Sequence, residues 1–212
     1  MTDKTHAPRQ FETTPVEILE EGTAYRGFFR IGHYRLRHGL WDGDLSEPLT
    51  REVFERGNAV GVLPYDPVRD RVLLIRQFLV GAHLAGRPNR PLQVIAGMVE
   101  PGETGTDVAR REAVEEAGCT IGWIRPAQAF LPSPGGSSER IETFVAQADL
   151  DGDLGCIGTF GLDEEGEDIR AEVLTADDAI ALLDAGVIEA GPAVVVLSWF
   201  ARHREALRRD WS

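Results

Sequence analysis

Residues 97–119 read GMVEPGETGTDVARREAVEEAGC, and this stretch decides both fold and chemistry. Thr104 or Thr106 can cap a helix, Asp107 sits in its first turn, VARREAVEEA continues without a breaker, and Gly118 is placed to end it. On that helix Glu112, Glu115 and Glu116 stand at i, i+3 and i+4 and share one face, so three carboxylates must crowd together. Arg111, four residues before Glu115, offsets only part of the repulsion. Hard oxygen ligands gathered on a rigid element suit magnesium, which takes one or two carboxylates together with waters and phosphate oxygens. For EAVEE taken alone, a solvated charged face is the more ordinary account of the pattern.

Upstream, LQVIAGMVE predicts a strand ending near Gly97. Before it, the apolar runs AVGVLPYD and RVLLIRQFLV, joined by a turn over Asp66-Pro67-Val68-Arg69-Asp70, predict a hairpin; the loop GAHLAGRPNRP follows. Downstream, IGWIRPAQAFL and IETFVAQADL predict strands around the loop PSPGGSSER, and IRAEVL a further strand. Residues 151–168, glycine-rich and acidic, read as one long loop of the kind that is functional or disordered. Two helices close the chain, DDAIALLDAG and one entered through Pro192. Near the N-terminus, Phe29, Ile31, Tyr34 and Leu36 alternate with Arg30, Arg35 and Arg37, the signature of a half-buried antiparallel sheet. The pattern divides the chain into a flexible 1–14, a small β subdomain over 15–57 and a catalytic domain over 58–212.

With 212 residues, 42% hydrophobic and 27% charged, the chain can bury one substantial core. A net charge of -13 argues against broad contact with nucleic acid, which requires many phosphates to be neutralised. It leaves room for one small anionic ligand held by a few arginines or by divalent cations. No window reaches spanning length and no signal segment stands at the start, so a cytoplasmic protein without a membrane partner is expected. Cys119 and Cys156 are too few for a disulfide framework.

The spacing G-(five)-E-(seven)-R-E-A-V-E-E-A-G-C, carried by Gly97, Glu103, Arg111, Glu112, Ala113, Glu115, Glu116, Gly118 and Cys119, resembles the Nudix box. Its seven fixed letters coincide by chance on the order of once in 10⁸ to 10⁹ windows. Ala113 and Cys119 stand where the family usually has larger aliphatics. The resemblance implies an α/β/α sandwich with a mixed sheet, and hydrolysis of a diphosphate. It implies two or more magnesium ions, replaceable by manganese, held by Glu112, Glu115, Glu116 and the Ala96 carbonyl. YRGFF from Tyr25, REVFERG from Arg51, SPGGSSER from Ser133 and GLDEEGEDIR from Gly161 are similar to the bacterial ADP-ribose pyrophosphatase group, as is Pro134 beyond the box. That likeness implies Glu165 as general base beside the catalytic Glu112, Glu116 and Arg111, and Glu167 as a further magnesium contact when the loop closes. It implies Phe28, Arg51, Arg56, Met98, Ser133 and Glu139 as substrate-binding residues. It also implies a homodimer that exchanges N-terminal strands, so that Phe28 and Arg51 serve the partner's site. Leu79 departs from the pattern, standing where the group commonly has an arginine; Arg76, three residues away on a strand, would face the other way. Hydrolysis of ADP-ribose to AMP and ribose 5-phosphate is the leading expectation. A Nudix hydrolase for another nucleotide sugar such as GDP-mannose, and a non-catalytic ADP-ribose sensor, are the alternatives.

Overall fold

The computed structural model describes residues 13–211, so most of the expected flexible N-terminus lies outside the described residues. The contacts divide the chain into two units.

The first unit is a three-stranded antiparallel sheet of β1 (Val16–Arg26), β2 (Arg30–His38) and β3 (Leu49–Glu55) in that order, with Ser133–Ser138 attached. The attachment is backbone pairing: the Phe54 amide donates to Gly136 O at 2.8 Å, and the Ser138 amide returns to Phe54 O at 3.3 Å. Inside the sheet, Glu55 accepts from Arg30 at 2.7 Å and from the Tyr34 hydroxyl at 2.5 Å. Much of β1 is exposed, including Val16, Ile18, Leu19 and Tyr25. The register of β1 on β2 slips between Ile18 and Glu20 and between Thr23 and Tyr25, whereas β2 pairs with β3 without a break.

The second unit is a mixed sheet covered on both faces by helices. Its strands are β4 (Ala59–Asp66), β5 (Arg71–Arg76), β6 (Leu92–Gln93), β7 (Ile95–Met98), β8 (Ile121–Phe130), β9 (Ile141–Ala148), β10 (Gly155–Phe160) and β11 (Ile169–Thr175). They run in the order β10-β11-β5-β4-β9-β8, with β6 beside β5 and β7 beside β4; β4 and β9 are parallel, and the other pairs antiparallel. Alternation sorts the core into two layers. Val60, Val62, Leu73, Ile75, Phe144 and Ala146 pack against Val108, Ala109, Ala113 and Ala117 of α2 (Gly105–Ala117), which follows the short α1 (Val80–Leu84). Leu63, Tyr65, Val72, Leu74 and Val145 pack against Ala176 and Ala179 of α3 (Ala176–Asp184) and against Val196, Leu197 and Phe200 of α4 (Gly191–Trp211). This is the expected α/β/α sandwich. No helix among the described residues is long and apolar enough to cross a membrane.

The β4–β5 turn is locked by two aspartates. Asp66, 1% exposed, accepts the amides of Val68 and Arg69 at 2.9 Å, the Arg69 guanidinium at 2.8 Å and the Leu150 amide at 3.1 Å. Burial alone would raise its pKa, but these donors outweigh it and hold the carboxyl below its usual range. Asp70, left-handed at φ 60°, receives the Tyr65 hydroxyl at 2.8 Å and pairs with Arg204 of α4.

Three elements differ from what the sequence predicts. The 151–168 stretch is not one loop, because it contains β10, which pairs with β11. This is a sheet-edge strand with mostly exposed residues, so no buried side needed an apolar alternation to mark it. The RVLLIRQFLV strand stops at Arg76, and Leu79 is the N-cap of α1 rather than a strand residue. The opposite-face argument about Arg76 and Leu79 therefore lapses; Arg76 donates to Glu172 of β11 at 3.1 Å. LQVIAGMVE is two strands interrupted at Val94, the first paired with β5 and the second with β4.

Candidate active site

Thr104 is the N-cap of α2 in a complete capping box: Asp107 donates its amide to the Thr104 hydroxyl and accepts the Thr104 amide at 2.9 Å. Gly118 ends the helix at φ 58°, where an added Cβ would stand 2.6 Å from the Phe160 ring. With its ends fixed and its alanines on the sheet, α2 turns Glu112 and Glu116 toward β7. Contact there is close enough to require glycine, since a Cβ on Gly97 would lie 1.6 Å from Glu112 Oε1.

Glu116 is 2% exposed, yet its donors are few and neutral: the Ala96 amide reaches Oε2 at 2.9 Å and Gln77 Nε2 reaches Oε1 at 3.3 Å. Burial pushes its pKa up to about 8; the Ala96 amide and Gln77 pull down while the Glu112 and Glu167 charges push further up. Glu112 is raised as well, by burial against the counter-pull of Arg111 and with Glu115 and Glu167 adding repulsion. Among the described residues, Arg111 supplies the guanidinium bonded into this cluster. It donates to Glu103 at 2.9 and 3.1 Å, to Glu112 at 2.7 Å, to Glu115 at 3.2 Å and to Met98 O at 3.3 Å. Glu103, also tied to the Glu100 amide, is thereby held below the usual carboxylate range.

The donor set suits a hard divalent cation. Burial disfavours the charged forms of both Glu112 and Glu116, and added positive charge would favour them. Among the described residues no three His, Cys, Asp or Glu side chains converge tightly enough to enclose an ion by themselves. Magnesium does not demand that, because it keeps waters and takes oxygens from its substrate.

The acidic loop joins this region through its ends. The Gly161 amide donates to Glu115 O at 3.1 Å, and Glu167 folds back so that its carboxylate accepts the Leu162 amide at 3.1 Å. A Cβ on Gly161 would stand 2.6 Å from Glu167 Cβ. Glu165 lies in the single 3-10 turn Asp163–Glu165 and is exposed.

The second unit thus brings together Ala96, Met98, Arg111, Glu112, Glu115, Glu116 and Glu167; Glu139 is buried in the same unit at 8% exposure. Phe28, Arg51, Arg56 and Ser133 belong to the first unit. There Phe28 is 90% exposed and meets Phe29 edge-on at 4.7 Å, while the Arg56 guanidinium lies 5.6 Å from the Phe29 ring centre. Arg51 is exposed on β3 and donates to Thr50 O at 2.8 Å. Sequence reasoning assigned no role to Gln77 and counted Glu103 only as a letter of the spacing. The first contact spans 39 positions and leaves no periodic signal; the second could have been inferred from Arg111 lying eight residues on, two helical turns from the loop.

A NUDIX domain model matches residues 55–194, and the chain belongs to the Nudix family. It is 42% identical over 205 residues to the ADP-ribose pyrophosphatase of Escherichia coli K12, covering 97% of each chain. It is 37% identical over 206 residues to that of Haemophilus influenzae, covering 96% of this chain and 94% of the other. GDP-mannose pyrophosphatase of Pectobacterium atrosepticum is 28% identical over 197 residues, covering 90% of this chain and 99% of the other. A crystal structure of an ADP compounds hydrolase shares the fold with a TM-score of 0.68 at 22% identity, covering 95% of this chain and 99% of its own.

Proposed function

We propose that this protein hydrolyses the diphosphate of ADP-ribose to AMP and ribose 5-phosphate with magnesium. The observation that carries the reading is the buried Glu116 beside Glu112 under Gly97, a site whose carboxylates lack enough positive charge of their own. The full-length likeness to ADP-ribose pyrophosphatases supports the choice of substrate over GDP-mannose, whose pyrophosphatase is the more distant relative. Glu112, Glu116 and the Ala96 carbonyl hold the ions, with Glu115 and Glu167 as further carboxylate oxygens, and Arg111 orients the set. Bound magnesium supplies Lewis-acid charge against the phosphate oxygens. Glu165 accepts a proton from the attacking water while one new P–O bond forms and the bridging P–O bond breaks; the departing phosphate carries the electron pair. Its exposure on a short turn suits a group that closes over bound substrate.

By the family likeness, Phe28 stacks on adenine, Arg51 and Arg56 contact the substrate, Ser133 and Glu139 line the ribose and diphosphate region, and Met98 touches the ligand beside the box. The subdomain over 15–57 forms a homodimer by strand exchange, a role that fits the exposed apolar side chains of β1. A monomeric mass in multi-angle light scattering contradicts this part. The protein works in the cytoplasm without nucleic acid or membrane partners. Assay of a panel of nucleoside diphosphates with magnesium tests the substrate: ADP-ribose ranks first, and a rank tenfold below another nucleotide sugar overturns the choice. Leu79, in place of the arginine common in the group, bears on substrate identity rather than on hydrolysis. Tight binding of ADP-ribose without turnover in excess magnesium would instead mark a sensor.

A further inference from the structure

We propose that Gln77 is a positioning residue that fixes the Glu116 carboxylate in the orientation in which it receives its divalent cation. The inference rests on the reading that Glu116 is a metal ligand. Each Glu116 oxygen has one fixed donor, the Ala96 amide on Oε2 and Gln77 Nε2 on Oε1. Each oxygen therefore keeps a lone pair free while the carboxylate is barred from rotating. The Ala96 donor is backbone and belongs to the β7 segment; Gln77 is the side-chain donor, arriving from beyond the end of β5.

The fold explains how it arrives. Gln77 is the first residue beyond β5, and the alternation that turns Leu73 and Ile75 toward α2 carries through to residue 77. Its amide is neutral, so it donates without adding another carboxylate to the cluster and without occupying the place of the cation, as an ammonium would. Because Glu116 is 2% exposed, bulk water cannot take over the bond when the side chain is removed. The Gln77 amide relates to Glu116 as outer partners relate to ligands in metal sites generally, where their removal costs about 10- to 100-fold in affinity.

The test compares the full chain with Gln77→Met, of similar length but without the donor, and with Gln77→Lys. Manganese binding is titrated by electron paramagnetic resonance, and melting temperature is followed across magnesium concentrations. For the methionine variant the manganese dissociation constant and the magnesium half-saturation of hydrolysis both rise about 10- to 100-fold, with excess metal recovering the loss. For the lysine variant the ammonium pairs with Glu116, so the metal-free melting temperature holds or rises and the magnesium-induced rise disappears. A methionine variant that binds manganese within twofold of the parent overturns the inference. So does a lysine variant that keeps the parent's magnesium-induced rise, even if the methionine variant does not fold. A parent protein that binds no manganese overturns the metal reading of Glu116 itself, an outcome distinct from the other two.

Discussion

Asp66 in the β4–β5 turn and Glu116 on α2 are buried to almost the same degree, 1% and 2% exposed, and their pKa values move in opposite directions. Asp66 is surrounded by three backbone amides and a guanidinium, enough to overcome desolvation. Glu116 has one backbone amide, one side-chain amide and two carboxylates for neighbours. A buried carboxylate that the protein satisfies by itself is a structural part. One left in deficit beside others calls for positive charge from outside, and that difference is what singles out the proposed active site.

The largest effect is expected on the unsatisfied side. Glu116→Gln removes the charge of the proposed ligand and should lower kcat/KM by about 10³-fold or more, the loss of several kcal/mol of Lewis-acid stabilisation. Manganese binding should fall with it. Glu165→Gln should lower kcat roughly 10²- to 10⁴-fold while leaving manganese binding intact. Near-normal turnover in that variant removes support for the loop carboxylate as base. Gly97→Ala pushes a methyl into Glu112 and should reduce activity about 10²-fold through displacement of the ligand, read as a raised magnesium half-saturation.

On the satisfied side, Asp66→Ala leaves its buried amides unpaired and should cost about 2–4 kcal/mol of stability in urea unfolding, with magnesium half-saturation unchanged. The two carboxyls also set opposite pH dependences. Asp66 has a depressed folded pKa, so its contribution is present above the ordinary carboxyl range and fades as pH falls through the folded value. Glu116 has a raised one, so in metal-free protein its contribution is full below about pH 4.5 and is lost as pH rises toward about 8. Magnesium should therefore raise the melting temperature most at the alkaline end, by about 5–10 °C at a hundredfold excess over its dissociation constant. A magnesium effect that is equal at pH 5 and pH 8.5 would erase the distinction between the two sites.

Much of the fold and of the carboxylate site is legible in the sequence alone. The capped helix with Gly118 behind it, the paired apolar runs around the Asp66–Asp70 turn, and the glutamate spacing are local patterns, and each forms where local chemistry places it. The features that sequence patterns do not show are non-local or exposed. β10 carries no apolar alternation because it closes the edge of its sheet. Leu79 leaves its strand because α1 begins there, which no periodicity announces. Asp66 resembles an ordinary turn residue because the Leu150 amide that completes its shell lies 84 positions away. The hold of Gln77 on Glu116 is of the same kind, a bond between elements that only the assembled sheet brings within reach.

The most direct test is anomalous diffraction from crystals soaked with manganese and a non-hydrolysable ADP-ribose analogue. The account predicts a manganese peak about 2.1 Å from carboxylate oxygens of Glu112 and Glu116, in contact with the diphosphate. Manganese bound elsewhere, with both side chains turned from the ligand, would contradict it.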